Sequence, residues 1–319
     1  MAALRFIAVD LGGTQIRAAR YTADGVQEAR VAMPTGAQDG LEAVMRRIQN
    51  TVRQVWPLGG AVAGIGIGAP GPVDFKRGIL RFAPNLPGWE NVPLRDKILD
   101  KFGVPVFLGN DADVAALGEH RFGAGRGIAD MIYMTVSTGI GGGMIFNKRL
   151  FTGGNGLGGE VGHMIVDLNG PPCGCGNTGC LEVMASGKAI ARRAYTRIMA
   201  GEPSLLVDMA GVDLAQITAK TVSEAAQKGD ALAISVFEEA GTYLGAAIVS
   251  MMYMLNPSLF VLGGSVTLAG DLLFAPLRRT IAARAPAVYQ EQTRVVSAML
   301  GADVGLWGAL SLCLMELNL

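Results

Sequence analysis

The segment Leu4-Arg5-Phe6-Ile7-Ala8-Val9-Asp10-Leu11-Gly12-Gly13-Thr14-Gln15-Ile16-Arg17 decides the fold. A mostly apolar run over 4–9 ends in Gly12-Gly13, and a second run over 14–21 follows directly. Two such runs separated by adjacent glycines read as a hairpin, because glycine reaches the backbone angles a tight turn demands. Asp24-Gly25 marks another turn before a strand over 26–33. The arrangement then returns. Met131–Val136 is an apolar strand, Thr138–Gly143 a glycine turn, and residues 143–146 run back. Strand, glycine turn, strand, opening each half of the chain, predicts an α/β protein of two related halves, with a cleft between them as the default ligand site.

Outward from these turns, Leu41, Val44, Met45, Ile48, Val52 and Val55 recur at helical spacing. Residues 61–69 read as a glycine-rich strand, 104–108 as a buried strand and 111–122 as a helix. Residues 70–93 carry Pro70, Pro72, Pro84, Pro87 and Pro93 without periodicity, which predicts a long loop. Residues 153–180 are irregular and 186–255 mostly helical. Strands over 258–262 and 295–300 precede a closing helix over 304–317. The expected division is a smaller N-terminal α/β domain over 1–118 and a larger one over 119–302, with the C-terminal helix, 303–319, packing back on the first.

Composition excludes several classes. The chain has 319 residues, 50% hydrophobic and 17% charged, enough to bury large cores. Lys+Arg and Asp+Glu both count 27, so no basic excess exists to hold a nucleic-acid backbone. Mean hydropathy is +0.35. The uncharged part of the longest helical stretch covers only 240–255 before Asn256-Pro257, whereas a membrane span needs about 20 residues. The opening residues, with Arg5 and Asp10, run into a patterned strand and do not resemble a secretory leader. A cytoplasmic protein that binds neither nucleic acid nor membrane is expected.

Three groups of residues carry chemistry. Cys173, Cys175 and Cys180 crowd together ten residues after His163, supplying three thiolates and an imidazole, a complete tetrahedral set for zinc. Four protein ligands leave no position for water, so the zinc is structural. Cys313 sits in the apolar C-terminal segment as an inert core thiol, and His120 has no partner in sequence and reads as a surface or capping residue. The glycine turns are the second group. Gly12, Gly13, Thr14 and Arg17 in one, and Thr138, Gly139, Gly141 and Gly142 in the other, offer backbone and hydroxyl donors to phosphate oxygens. Asp10 could hold magnesium, directly or through water. One such turn alone would be a plain hairpin; two change the reading. Gly263-Gly264 after a buried strand is a third place for backbone to approach a nucleotide. The third group is Asn110-Asp111 at the end of a buried strand, where α/β folds put ligands. Asp111 is either a base or the N-cap of the following helix. Glu160 and Glu182 flank the cysteine cluster, and Asn85 lies in the proline-rich segment.

Together these motifs resemble the ROK family (repressors, open reading frames, kinases). The match runs through Asp10-x-Gly12-Gly13-Thr14, Gly68-Ala69-Pro70-Gly71, Asn110-Asp111-Ala112, Thr138–Gly143, Gly159-Glu160-Val161-Gly162-His163 and Cys173–Glu182. The run from Asp230 to Gly264 is most similar to bacterial glucokinases. The resemblance implies a two-domain actin/hexokinase/Hsp70-like (ribonuclease H-like) fold and phosphorylation of a hexose, first of all glucose, at its 6-hydroxyl by ATP and Mg2+. It implies Asp111 as catalytic base. Gly68, Asn85, Asn110, Glu160, His163 and Glu182 would hold the sugar, with His163 serving zinc through one ring nitrogen. The glycine turns would clasp ATP phosphates and Gly263-Gly264 the adenosine. A homodimer or homotetramer is implied. Asp113 departs from the family, where a second Asn is common. Alternatives are an N-acetylmannosamine, N-acetylglucosamine or fructose kinase of the same family, or a sugar-sensing regulator without activity.

Overall fold

The computed structural model describes residues 4–211 and 213–319. β1 (Arg5–Leu11), β2 (Gln15–Thr22) and β3 (Gln27–Pro34) form the opening meander, followed by α1 (Leu41–Val55) and β4 (Val62–Ala69). β5 (Val73–Asp74), β6 (Ile79–Phe82) and β7 (Glu90–Val92) lead to α2 (Leu94–Phe102), β8 (Val106–Asn110) and α3 (Asp111–Phe122). A second meander, β9 (Met131–Val136), β10 (Ile140–Phe146) and β11 (Arg149–Phe151), precedes α4 (Leu181–Ala185), α5 (Gly187–Met199), α6 (Leu206–Ala210), α7 (Ala219–Gln227) and α8 (Ala231–Leu255). The chain ends with β12 (Leu259–Gly263), α9 (Asp271–Arg284), α10 (Ala287–Gln290), β13 (Arg294–Ser297) and α11 (Val304–Glu316).

The two main sheets have the same plan. One runs β3–β2–β1–β4–β8 and the other β11–β10–β9–β12–β13. In each, an antiparallel meander is extended by two parallel strands. This is the duplication that the repeated glycine turns predict. Residues 70–93 differ from the expected loop: β5, β6 and β7 make a small antiparallel sheet. Its strands are two to four residues long, too short to show a period, and the prolines lie outside them, where no ladder hydrogen bond is lost.

Contacts divide the chain into two compact units, one of residues 1–129, 143–159 and 298–319, the other of 130–142 and 160–297. The sequence-based division at 118/119 would cut α3, which stays whole in the first unit. Residues 143–159 also join that unit, where Gly143 lies against Ala112 and Ala116 of α3.

In the first unit, β1 is buried along nearly its whole length, as a central strand covered on both faces must be. Val44, Ile48 and Val52 of α1 join the core with Val9, Leu11, Ile16, Ile65 and Ile67. α11 packs on β1, β4, β8 and α3. A Cβ at Gly66 would overlap the carbonyl of Ala309, so glycine in β4 is what lets α11 lie directly on the sheet. Trp307 of α11 packs between Tyr21 and Phe122, at ring-centroid distances of 5.1 and 4.9 Å. Cys313 is fully buried, and burial pushes its thiol up to about 12, consistent with an inert core residue. His120 is half-buried, with Nε2 2.8 Å from the carbonyl of Ile128, so it closes a loop where the sequence pointed to a surface or cap.

In the second unit, α8 packs against α4, α5, α7 and α9. Counted with its charged first half, α8 is long and apolar enough to cross a membrane, the one such helix among the described residues, and 61% of its apolar window is buried.

Glu119 is a fully buried carboxylate in α3. It accepts the N–H of Ala124 at 2.8 Å, of Met299 at 2.9 Å and of Leu300 at 2.8 Å. It therefore ties α3 to the segment that leads into α11. Hydrogen bonds to a charged acceptor contribute more than neutral ones, so Glu119→Ala is expected to destabilise the chain by about 3 kcal/mol in urea unfolding. A loss below about 0.5 kcal/mol, typical of an unimportant surface change, would contradict this anchor.

Candidate active site and metal centre

Strand register gathers the first set of residues. Asp10 pairs opposite Gly68, Gly68 opposite Gly109, and Ala69 opposite Asn110. Asp10, Gly68 and Asn110-Asp111 thus share the carboxyl-end edge of three neighbouring parallel strands, β1, β4 and β8. Asn110, not Asp111, is the N-cap of α3: its side chain accepts the N–H of Ala112 at 2.9 Å and of Asp113 at 3.4 Å. The Asn110 amide also donates to the Gly71 carbonyl at 3.0 Å. Asp111 is the first residue of the helix and is exposed; its Oδ1 lies 2.8 Å from the N–H of Ala112. Asp113 is half-buried.

The first glycine turn is closed by the Gly12 N–H donating to the Gln15 carbonyl at 2.9 Å. Thr35 fastens it from β3's end, its hydroxyl donating to the Gly12 carbonyl at 2.6 Å and its N–H to the Thr14 carbonyl at 2.9 Å. Asn85 lies against Gly13, so the proline-rich segment does reach this turn. Asp10 and Arg17 are cross-strand partners and form an ion pair. Burial pushes the Asp10 carboxyl above its usual range, against the pull of the Arg17 guanidinium. Arg17 also donates to the Ala302 carbonyl and lies 3.6 Å from Asp303. The cation that the sequence offered to phosphate is thus engaged inside the unit, between β1 and the start of α11.

The second set lies in the other unit. β9 and β12 are parallel neighbours with Thr135 opposite Gly263, so the turn after β9 and Gly263-Gly264 after β12 emerge side by side. The Ser137 and Ser265 hydroxyls, 3.0 Å apart, join them. β10 begins at Ile140, which places Gly141 and Gly142 in the strand and leaves Ser137-Thr138-Gly139 as the turn. The N–H of Gly187, at the start of α5, donates to the Ser137 carbonyl at 2.7 Å, bringing exposed Lys188 beside the turn. Ser137, Ser265 and Lys188 went unnoticed in sequence, because only the strand pairing and the seat of α5 bring them together. Glu182 of α4 accepts the Ile140 N–H at 3.0 Å.

The metal centre lies next to this set in the chain. His163 Nδ1 and the thiols of Cys173, Cys175 and Cys180 all fall within 4.8 Å of one another. Cys173 Sγ is 3.7 Å from His163 Nδ1, and Cys175 Sγ is 3.6 Å from Cys180 Sγ. Zinc bonds of about 2.0–2.3 Å in a tetrahedron give ligand-to-ligand edges of about 3.5–3.8 Å, so the donor set fits zinc and closes its coordination. Backbone bonds build the cradle: Cys173 N–H to the Asn177 carbonyl at 2.7 Å and Gly179 N–H to the Pro171 carbonyl at 2.8 Å. Without metal the thiols differ widely. The Asn177 N–H and a bond with Cys173 draw Cys175 down to about 7, while burial pushes Cys180 up to about 12. A divalent ion would hold all three as thiolates. Exposed Glu160 precedes His163, whose N–H donates to the Glu160 carbonyl at 3.0 Å.

Elemental analysis of the purified protein should find about one zinc per chain. Cys180→Ala should lose it, and its thermal unfolding midpoint should fall by about 5 °C or more. A metal-free wild type that unfolds at the same temperature as the zinc-loaded form would remove the structural role.

The ROK family model matches residues 6–316. A glucokinase of Thermotoga maritima is 38% identical over 312 residues, 98% of this chain and 98% of its own length. The ROK family glucokinase of Streptomyces griseus, solved in complex with glucose and AMPPNP, aligns with a TM-score of 0.83 at 37% identity, over 97% of this chain and 98% of that one. The ROK hexokinase of Thermus thermophilus aligns with a TM-score of 0.83 at 34% identity, over 99% of each chain. The duplicated α/β plan is that of the actin- and hexokinase-like proteins, and the chain belongs to the ROK family.

Proposed function

We propose that this chain transfers the γ-phosphoryl group of ATP to the 6-hydroxyl of glucose, giving glucose 6-phosphate and ADP. The observation that carries the reading is the division of labour at the end of β8. Asn110 takes the helix cap, and Asp111 stays exposed at the strand edge. Asn110 suffices as the cap, so capping α3 does not account for the Asp111 carboxylate beside it.

In this reading the sugar O6 forms a bond to Pγ as the bond from Pγ to the bridging oxygen of ADP breaks. Asp111 accepts the hydroxyl proton late in the transfer, so it needs no strongly raised pKa. Gly68, Asn85, Asn110, Glu160, His163 and Glu182 bind and orient the sugar. Gly12, Gly13, Thr14, Thr138 and Gly139 meet the phosphates, with Gly141 supporting the turn, and Gly263-Gly264 approach the adenosine. Mg2+ accompanies ATP and neutralises phosphate charge. Since Asp10 is already paired with Arg17, it would reach that ion through water, and Arg17 acts by fixing Asp10. Zinc, on His163, Cys173, Cys175 and Cys180, is structural.

The enzyme is expected to work in the cytoplasm, where ATP is. A homodimer or homotetramer is also part of this reading, supported by Tyr253 and Met254 near the end of α8, which are 52% and 76% exposed.

Initial rates of ADP release with MgATP test the proposal. Glucose should give the highest kcat/KM in a panel with mannose, fructose, N-acetylmannosamine and N-acetylglucosamine. Asp111→Ala should lower kcat by about 10³-fold, the usual scale for loss of a general base. Preference for an N-acetyl sugar would change the substrate and keep the mechanism. Turnover in wild type no greater than in Asp111→Ala would sink the kinase reading and favour a sensor.

A further inference from the structure

Glu182 belongs to the sugar-binding set proposed above, yet it also touches another part of the site. Its Oε2 accepts the Ile140 N–H at 3.0 Å, where the Ser137-Thr138-Gly139 turn passes into β10. Gly139 has no room for a side chain, because a Cβ there would overlap the same Oε2. Its backbone lies outside the left-handed region, so alanine would be tolerated by conformation alone, and the Glu182 carboxylate is the obstacle.

The backbone that carries this carboxylate is itself anchored. Glu182 stands two residues after the metal ligand Cys180, which is the N-cap residue of α4. The Leu181 N–H donates to the Met164 carbonyl at 2.8 Å, next to the metal ligand His163. On the other side, α5 holds the turn through the Gly187 N–H on Ser137. The turn is therefore gripped at both ends, by α5 at Ser137 and by Glu182 at Ile140.

We infer that Glu182 is a positioning residue for the phosphate-binding turn. Oε2 holds the Ile140 N–H, a charge-assisted bond of the stronger kind, and the other carboxylate oxygen serves a sugar hydroxyl. One side chain thereby links the sugar pocket to the turn that meets the nucleotide. This rests on the kinase reading in two respects, that Glu182 meets a sugar hydroxyl and that Thr138 and Gly139 meet phosphates. A residue that served the sugar alone would not affect the turn or the nucleotide when sugar is absent.

The experiment uses the full chain without sugar, in five forms: wild type, Glu182→Ala, Glu182→Gln, Gly139→Ala, and Glu182→Ala with Gly139→Ala. Amide hydrogen exchange over 137–141 and MgAMPPNP affinity by calorimetry are measured on each. Glu182→Ala should speed exchange in the turn and weaken MgAMPPNP about tenfold. Glu182→Gln keeps an acceptor oxygen and should restore most of the protection. Gly139→Ala should weaken the nucleotide as well, by displacing the carboxylate. The two losses should not add: the double variant should match Glu182→Ala within about twofold. Unchanged exchange and nucleotide affinity in Glu182→Ala, with only glucose binding lost, would overturn the inference, and so would additive losses. If wild type itself bound no MgAMPPNP, the kinase reading would fail, and the exchange over 137–141 would still decide whether Glu182 holds the turn.

Discussion

Parallel strand register is the constraint on which the rest of the candidate site depends. In the first sheet it sets Asp10 opposite Gly68 and Gly68 opposite Gly109. In the second it sets Thr135 opposite Gly263. The two glycine turns, Asn110-Asp111 and Gly263-Gly264 all lie at these aligned carboxyl ends. A slip of one residue would turn each side chain of the strand to the opposite face. The core enforces the register, because β1 is covered on both sides and cannot slide without exposing apolar groups.

The region over 153–180 solves a different problem. It has no regular strand and only the short 3-10 turn Val161–His163. Leu157, Ile165 and Leu168 in it stay exposed, so burial alone orders it little, and backbone bonds across the Cys173–Gly179 loop supply part of what is needed. A metal on the closed four-ligand set would supply the rest, since metal binding is folding free energy in such a loop. Glu160 stands three residues before His163 and Glu182 two residues after Cys180, so an ion bound there would fix the backbone beside both. The Glu182 bond to Ile140 then carries that order into the glycine turn.

Electrostatic engagement changes the meaning of single residues. Arg17 reads in sequence as a free cation beside a glycine turn, and the structure pairs it with Asp10 and Asp303. Asp111 reads equally as a cap or a base, and Asn110 removes the first option. Gly141 reads as part of a turn and lies in β10. Asp303 is remote in the chain, whereas Asp10 and Asn110 are near neighbours whose parts are fixed only by the pairing of β1 with β2 and by where α3 begins. The small sheet in the proline-rich segment escaped notice for the opposite reason: its strands are too short for a period to show.

The sequence by itself determined what depends on near neighbours. Periodicity of apolar residues marked the main helices and strands. Adjacent glycines marked the turns, and their repetition marked the duplicated plan. Four ligands within eighteen residues marked the metal set, since ligand spacing along a short loop is itself geometry. Tertiary structure alone decided what depends on pairing across distance. Examples are Glu119 anchoring the segment before α11, Ser137 meeting Ser265, and Gly139 facing Glu182. Such contacts arise when strand register and helix seating are settled by burial, which acts on the whole core at once and leaves no signature in any one stretch.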